Sequence, residues 1–248
     1  MPSPHSTLDV LGVPVAPLDL DRSVAHLERA LDEGRRVFVV TANPEFVMHA
    51  RRDPRLLSSP LPGVEHLVLP DGVGLVLAAR MLGVSAFPGR ARGRDLVPRL
   101  AAVTARRGLS VFLLGAGEGV AARAAGTLRA NVPDLRVAGT YAGSADGDDD
   151  AVTRVLAARP DILLVAYGMP KQELWIARNL PRLESVRIAV GVGGALDYLA
   201  GDAPLPPAWL AGAGLEWLWR LVRQPWRWRR QLALPLFLLL VLRERAAR

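Results

Sequence analysis

Short runs rich in Val, Ile and Leu recur along the first 200 residues, at 37–41, 66–69, 109–114, 135–140, 162–166 and 186–190. They are nearly continuous in hydrophobicity, without the apolar–polar alternation of a strand that keeps one face in water. Between them, stretches at 21–33, 44–52, 72–82, 96–106, 117–130, 148–158 and 170–179 read as helices. Strands buried on both faces and separated by helices predict an α/β fold: a Rossmann-like, mostly parallel sheet with helices on both faces. Ligands of such sheets sit beyond the carboxyl ends of the strands. The segments to search are therefore 41–43, 70–72, 115–117, 167–172 and 191–194.

Near residue 200 the pattern changes. Asp202-Ala-Pro-Leu-Pro-Pro207 is a proline-rich connection, and five of the six tryptophans lie beyond it, interleaved with arginine. The chain thus divides into a catalytic body, 1–200, and a helical Arg/Trp-rich appendage, 201–248. Charge sharpens the division. The chain carries 31 Lys and Arg against 24 Asp and Glu, a net +7. Residues 220–248 hold eight arginines and one acid, Glu244, so this tail accounts for the whole excess and residues 1–219 are neutral. A cationic tail with interleaved Trp suits single-stranded nucleic acid or an anionic lipid surface.

The uncharged run 232–242 separates those readings. It has no use on an exposed nucleic-acid surface, and it falls short of the ~18 apolar residues a spanning helix needs. It fits a helix lying in the lipid interface, with Trp at headgroup level and Arg reaching phosphates. A helix buried against the body or another subunit is the competing reading. Cysteine is absent, which excludes disulfides, Cys-ligated zinc and Cys nucleophiles. The first residues lack the charged and apolar regions of a secretory signal, and the expected location is the cytosol.

Three clusters invite chemistry. Gly115-Ala-Gly117-Glu-Gly119 follows a strand and opens a helix, where backbone N–H groups can meet a nucleotide phosphate. Val120 stands where a dinucleotide fingerprint needs its third glycine, so a tight turn remains the alternative. Asp146-Gly-Asp148-Asp-Asp150 could ligate Mg²⁺ or Mn²⁺, but a polar cluster before an apolar-periodic helix reads better as its start. Asp71, between Pro70 and Gly72, is either a helix cap or a general base at the mouth of the sheet. His5, His26, His49 and His66 are scattered over a tail, two helices and a strand, so no triad or His-rich metal site is expected.

Six segments occur in order: Thr41-Ala-Asn43-Pro-Glu, Pro70-Asp71-Gly72-Val-Gly74, Arg90-Ala-Arg-Gly93-Arg-Asp95-Leu, Gly168-Met-Pro-Lys171-Gln172-Glu173-Leu-Trp175, Gly191-Val-Gly-Gly194-Ala-Leu-Asp197, and Leu215-Glu216-Trp-Leu-Trp-Arg220-Leu followed by Gln224-Pro225-Trp-Arg227. Together they resemble the WecG/TagA/CpsF family, glycosyltransferase family 26, over residues 11 to 242. The resemblance implies an inverting, metal-independent transferase that needs no cofactor. It would move a sugar, most often N-acetylmannosamine, from a UDP-sugar to a polyprenyl-diphosphate-linked sugar in cell-surface polysaccharide or teichoic acid synthesis. It would work as a peripheral protein on the inner face of the plasma membrane, bound to its anionic surface.

By the same resemblance Asp71 is the base, Thr41, Asn43 and Arg90 line the pocket, and Gln172 belongs to the donor side. Arg220, Arg227 and Arg230 of the appendage would reach the active site, where guanidinium forks suit a diphosphate. Their spacings of three and seven place them on one face of a continuous helix, which Pro225 interrupts. Leu205-Pro-Pro-Ala208 stands where many members have Arg-Ala-Pro, so a contact from that arginine is not carried over. The alternatives are another donor, such as UDP-glucose or UDP-N-acetylmannosaminuronate, and a nucleic-acid-binding protein using the tail. A dinucleotide-dependent oxidoreductase is disfavoured by the glycine spacing. No nucleic acid is expected as a partner; the oligomeric state stays open, a homo-oligomer included.

Overall fold

A computed structural model describes residues 7–58, 62–84, 88–147, 149–207, 209–210, 215–223 and 233–247. The expected strands form one six-stranded sheet: β3 (Arg36–Ala42), β4 (Val64–Pro70), β5 (Ser110–Gly115), β6 (Arg136–Tyr141), β7 (Ile162–Ala166) and β8 (Ile188–Gly191). Their spatial order is β4-β3-β8-β7-β5-β6, and each neighbouring pair is parallel. The helices between them are α1 (Leu20–Asp32), α2 (Pro44–Ala50), α3 (Val73–Met81), α4 (Gly93–Arg106), α5 (Val120–Asn131), α6 (Asp149–Ala158), α7 (Lys171–Asn179) and α8 (Ala195–Leu199).

The near-continuous hydrophobicity has a direct cause. Successive strand residues point to opposite faces, and both faces are covered. Val37 and Val39 pack into a core with residues of α1, α4, α5 and α8. Phe38 and Val40 pack into the other, with residues of α2, α3, α6 and α7. β3 and β8 are neighbours, but the helices that follow them, α2 and α8, lie on opposite faces. The strand order reverses there and a crevice opens between the carboxyl ends, the place where such folds bind ligands.

The hydrophobic pattern did not predict the N-terminal hairpin of β1 (Leu8–Val10) and β2 (Val13–Val15). Its turn places Leu11 and Gly12 at φ 56° and 86°, and Val10, Val13 and Val15 are fully buried.

Of the appendage, α9 (Glu216–Arg223) and α10 (Ala233–Ala247) are described. Phe237 and Val241 of α10 are fully buried in the core that holds α2 and α3. The opposite side of α10 leaves Leu236, Leu239 and Leu242 exposed. Over 233–242 the run therefore packs one face on the body, as the buried reading expected, and leaves another exposed.

Candidate active site

A cavity of about 420 Å³ occupies the crevice. Its walls come from the ends of β3, β4, β7 and β8, from the segment 90–94, and from Glu216, Trp217, Ala233 and Leu234 of the appendage. Asp71, Thr41, Asn43, Arg90 and Gln172, brought from across the sequence, all line it.

Asp71 is held by its backbone. Its N–H donates to the Ala42 carbonyl at 2.7 Å, one step beyond the β3–β4 ladder. The cap position of α3 falls at Gly72, one residue beyond Asp71. The glycines beside it answer to close packing. A Cβ at Gly72 would lie 3.2 Å from Asn43 Cβ, and one at Gly74 would lie 2.4 Å from Pro44 Cγ. This contact sets the Pro-Asp-Gly-Val-Gly segment against the Asn-Pro turn after β3 and brings Asp71 beside Asn43.

The other expected residues divide into structural and available groups. The Thr41 hydroxyl is buried and donates to the Gly191 carbonyl at 2.8 Å, fastening β3 to β8. Asn43 caps α2, its Oδ1 accepting from the Phe46 N–H at 3.0 Å. Its Nδ2 donors are the part of the side chain a ligand can use. Gln172 is 1% exposed and committed at both ends: Oε1 accepts from the Gly193 N–H at 2.9 Å, and Nε2 donates to Glu173 Oε1 at 2.7 Å. From the cavity wall it holds the glycine loop after β8. Arg220 lies on α9, with its side chain outside the described part, and Arg227 and Arg230 lie outside the described residues.

Glu173 is the buried acid of the site. Burial pushes its carboxyl up to about 7, against the Gln172 hydrogen bond, and the nearby Glu45 charge raises it further. Its Oε2 has no hydrogen-bond partner among the described residues. A Cβ at Gly191 would come within 2.8 Å of Gln172 Nε2 and 2.9 Å of Glu173 Oε1, so the strand end must be glycine for this pair to fit.

The motif reading assigned no role to Arg92, Arg94 or Glu216. Helix α4 begins at Gly93, three residues before the hydrophobic periodicity suggested, because a glycine there can approach the Val192 carbonyl and Thr41 side chain. That early start puts Arg92 at the cap and Arg94 in the first turn, facing the cavity with Arg90. Glu216 Oε1 lies 2.5 Å from Arg92 Nη1 and 3.5 Å from Arg90 Nη1, and Oε2 lies 3.0 Å from Arg94 Nη1. Arg94 Nη1 is buried and, despite that proximity, makes no aligned hydrogen bond among the described residues. A signal was present: Glu216 is the single acid between Asp202 and Glu244, inside an otherwise cationic tail.

The remaining clusters lie elsewhere. None of residues 115–119 lines the cavity. Gly115 packs on the end of β7, where a Cβ would lie 2.8 Å from the Ala166 carbonyl carbon. Asp146 pairs with Lys171 Nζ at 2.6 Å, and Asp149 and Asp150 sit in the first turn of α6; Asp148 is outside the described residues. Among the described residues no group of three His, Asp or Glu side chains could hold a metal ion.

A parallel sheet whose crevice sets the Asp71 carboxylate among guanidinium groups can take a proton from a nucleophile while an anionic group departs, which is the work of a group transferase. The sequence agrees in detail: the profile of the glycosyl transferase WecG/TagA/CpsF family matches residues 8–248, and the chain belongs to that family and is a glycosyltransferase. It is similar to N-acetylglucosaminyldiphosphoundecaprenol N-acetyl-beta-D-mannosaminyltransferases from three bacteria. The Bacillus spizizenii protein is 33% identical, covering 92% of this chain and 88% of the relative. The Bacillus subtilis protein is 29% identical over 96% and 92%. A Staphylococcus aureus protein is 29% identical over 93% and 90%.

Proposed function

We propose that this glycosyltransferase moves N-acetylmannosamine from its UDP-sugar to a polyprenyl-diphosphate-linked N-acetylglucosamine, with inversion and without a metal, at the cytoplasmic face of the membrane. The observation that carries the reading is the joint placement of Asp71 and the arginines of segment 90–94 on one cavity at the strand-order reversal. The relatives' shared name supports the choice of sugar and acceptor.

The reaction is one in-line displacement at the anomeric carbon. The acceptor hydroxyl oxygen forms the new C–O bond as the bond to the UDP oxygen breaks. The hydroxyl proton passes to Asp71, and UDP leaves with the electron pair. In a metal-independent reaction, cationic side chains must meet the growing diphosphate charge, and preorganised guanidinium groups suit that task. A comparison of UDP-N-acetylmannosamine, UDP-glucose and UDP-N-acetylmannosaminuronate, read as UDP release, tests the donor. Clear preference for another sugar would overturn this choice.

Membrane docking follows from α10. No helix among the described residues is long and apolar enough to cross a membrane. The exposed Leu236, Leu239 and Leu242, with Arg243 and Arg245 beyond them, form an apolar stripe ending in positive charge, as an interfacial helix requires. Leu239→Glu removes apolar burial and adds a repelled charge, and should weaken binding to anionic vesicles about tenfold or more. Because Leu239 is half exposed, the melting temperature should hold. Unchanged vesicle binding in a co-sedimentation assay would contradict the docking role.

A further inference from the structure

Among the described residues, the ion pairs that reach α9 from the body come from Arg90, Arg92 and Arg94, and all three end on one carboxylate, Glu216. Glu216 is 15% exposed and the arginines 22%, 24% and 12%, so this is no solvated surface pair of little worth. All four side chains line the cavity that holds Asp71. Asp95 braces the far side, 2.5 Å from Arg92 Nε and 3.6 Å from Arg94 Nε. Three guanidinium groups thus meet two carboxylates in this cluster.

We infer that Glu216 is a positioning residue of the transfer reaction: its carboxylate registers the appendage over the cavity and holds Arg90, Arg92 and Arg94 in place along the wall. The inference rests on the proposed transferase reading for its consequence, but its geometry stands apart from it. Take the charge from Glu216, and Arg92 and Arg94 keep Asp95 while all three arginines lose their contact with α9. Their mutual repulsion spreads the segment 90–94. At the same step α9 loses its ionic hold on the body, and with it go Trp217 and the neighbouring wall. The guanidinium groups are then misplaced when diphosphate charge develops, so the loss falls on kcat more than on the donor KM.

The test uses the full-length chain with Glu216→Gln, Arg92→Gln and the double variant. Three readings are taken: steady-state kinetics with a short-chain acceptor, melting temperature, and tryptic removal of the appendage followed by intact mass. Glu216→Gln should lower kcat about ten- to a hundredfold, the scale of one lost charge-assisted bond. The tail should be cut faster while the melting of the body holds. The double variant should lose less than the sum of the single losses, because both substitutions break the Arg92–Glu216 contact. Faster tail cleavage with unchanged kcat would overturn the inference, since docking would then not serve transfer. Lower kcat with unchanged cleavage and additive single effects would overturn it too, since Glu216 would then act without the latch. If the unmodified protein transferred no sugar, the transferase reading would fall instead, visibly, because tryptic cleavage does not depend on transfer.

Discussion

Asp71→Asn should retain the fold and UDP binding and lose transfer by ~10²–10⁴-fold in kcat, the usual worth of a general base. The amide has the size of the carboxylate but cannot accept the hydroxyl proton while remaining neutral. The fold should hold, because the backbone N–H that fixes the residue to Ala42 is untouched by the substitution. Donor binding should persist, because the guanidinium groups at 90, 92 and 94 are untouched. Steady-state kinetics beside UDP calorimetry separates the two effects. Near-wild-type kcat in the Asn variant would remove Asp71 from the chemistry.

Glu173→Gln should change how stability depends on pH. The carboxyl, ordinarily near 4.5, is pushed up to about 7 by burial in the folded chain. Between those values the native state holds a proton that the unfolded state has released, so stability falls as pH rises through the window. Fully present below about 4.5, that contribution is gone above 7 and amounts to about 3 kcal/mol. Gln is isosteric with the protonated acid and cannot ionise. It should therefore gain on the wild type by about that amount between pH 4.5 and pH 8, read as urea midpoints at the two pH values. Carboxylates that titrate lower, such as Glu65, where the His26 and Arg35 contacts outweigh burial and hold the group down, affect both proteins alike. Parallel stability curves for the two proteins would mean that Glu173 is ionised in the native state.

The sheet was legible because burial on both faces forces hydrophobicity at every strand position, as in residues 37–42. The hairpin at 8–15 escaped because its strands are three residues each, too short to show a period. Asp71 could be located by its place after β4, but the position of the α3 cap one residue on, at Gly72, could not. Gln172 looked like a ligand in the sequence, and its commitment to Gly193 and Glu173 depends on a turn 21 residues away. The Arg92–Glu216 contact spans 124 residues, and no local spacing encodes such a distance. What the sequence offered was a lone acid in a basic tail, a charge in need of a partner. Composition alone could not say which face of the apolar run packs on the body; tertiary packing turns Phe237 and Val241 inward and leaves Leu236, Leu239 and Leu242 outward.

The central claim is tested most directly by product mass. Purified protein is incubated with UDP-N-acetylmannosamine and a short-chain polyprenyl-diphosphate N-acetylglucosamine in excess EDTA, and the lipid product is weighed by mass spectrometry. The account predicts an acceptor heavier by one N-acetylhexosamine residue, with one UDP released per product. An acceptor of unchanged mass, or one extended only when Mn²⁺ or Mg²⁺ is restored, would contradict it.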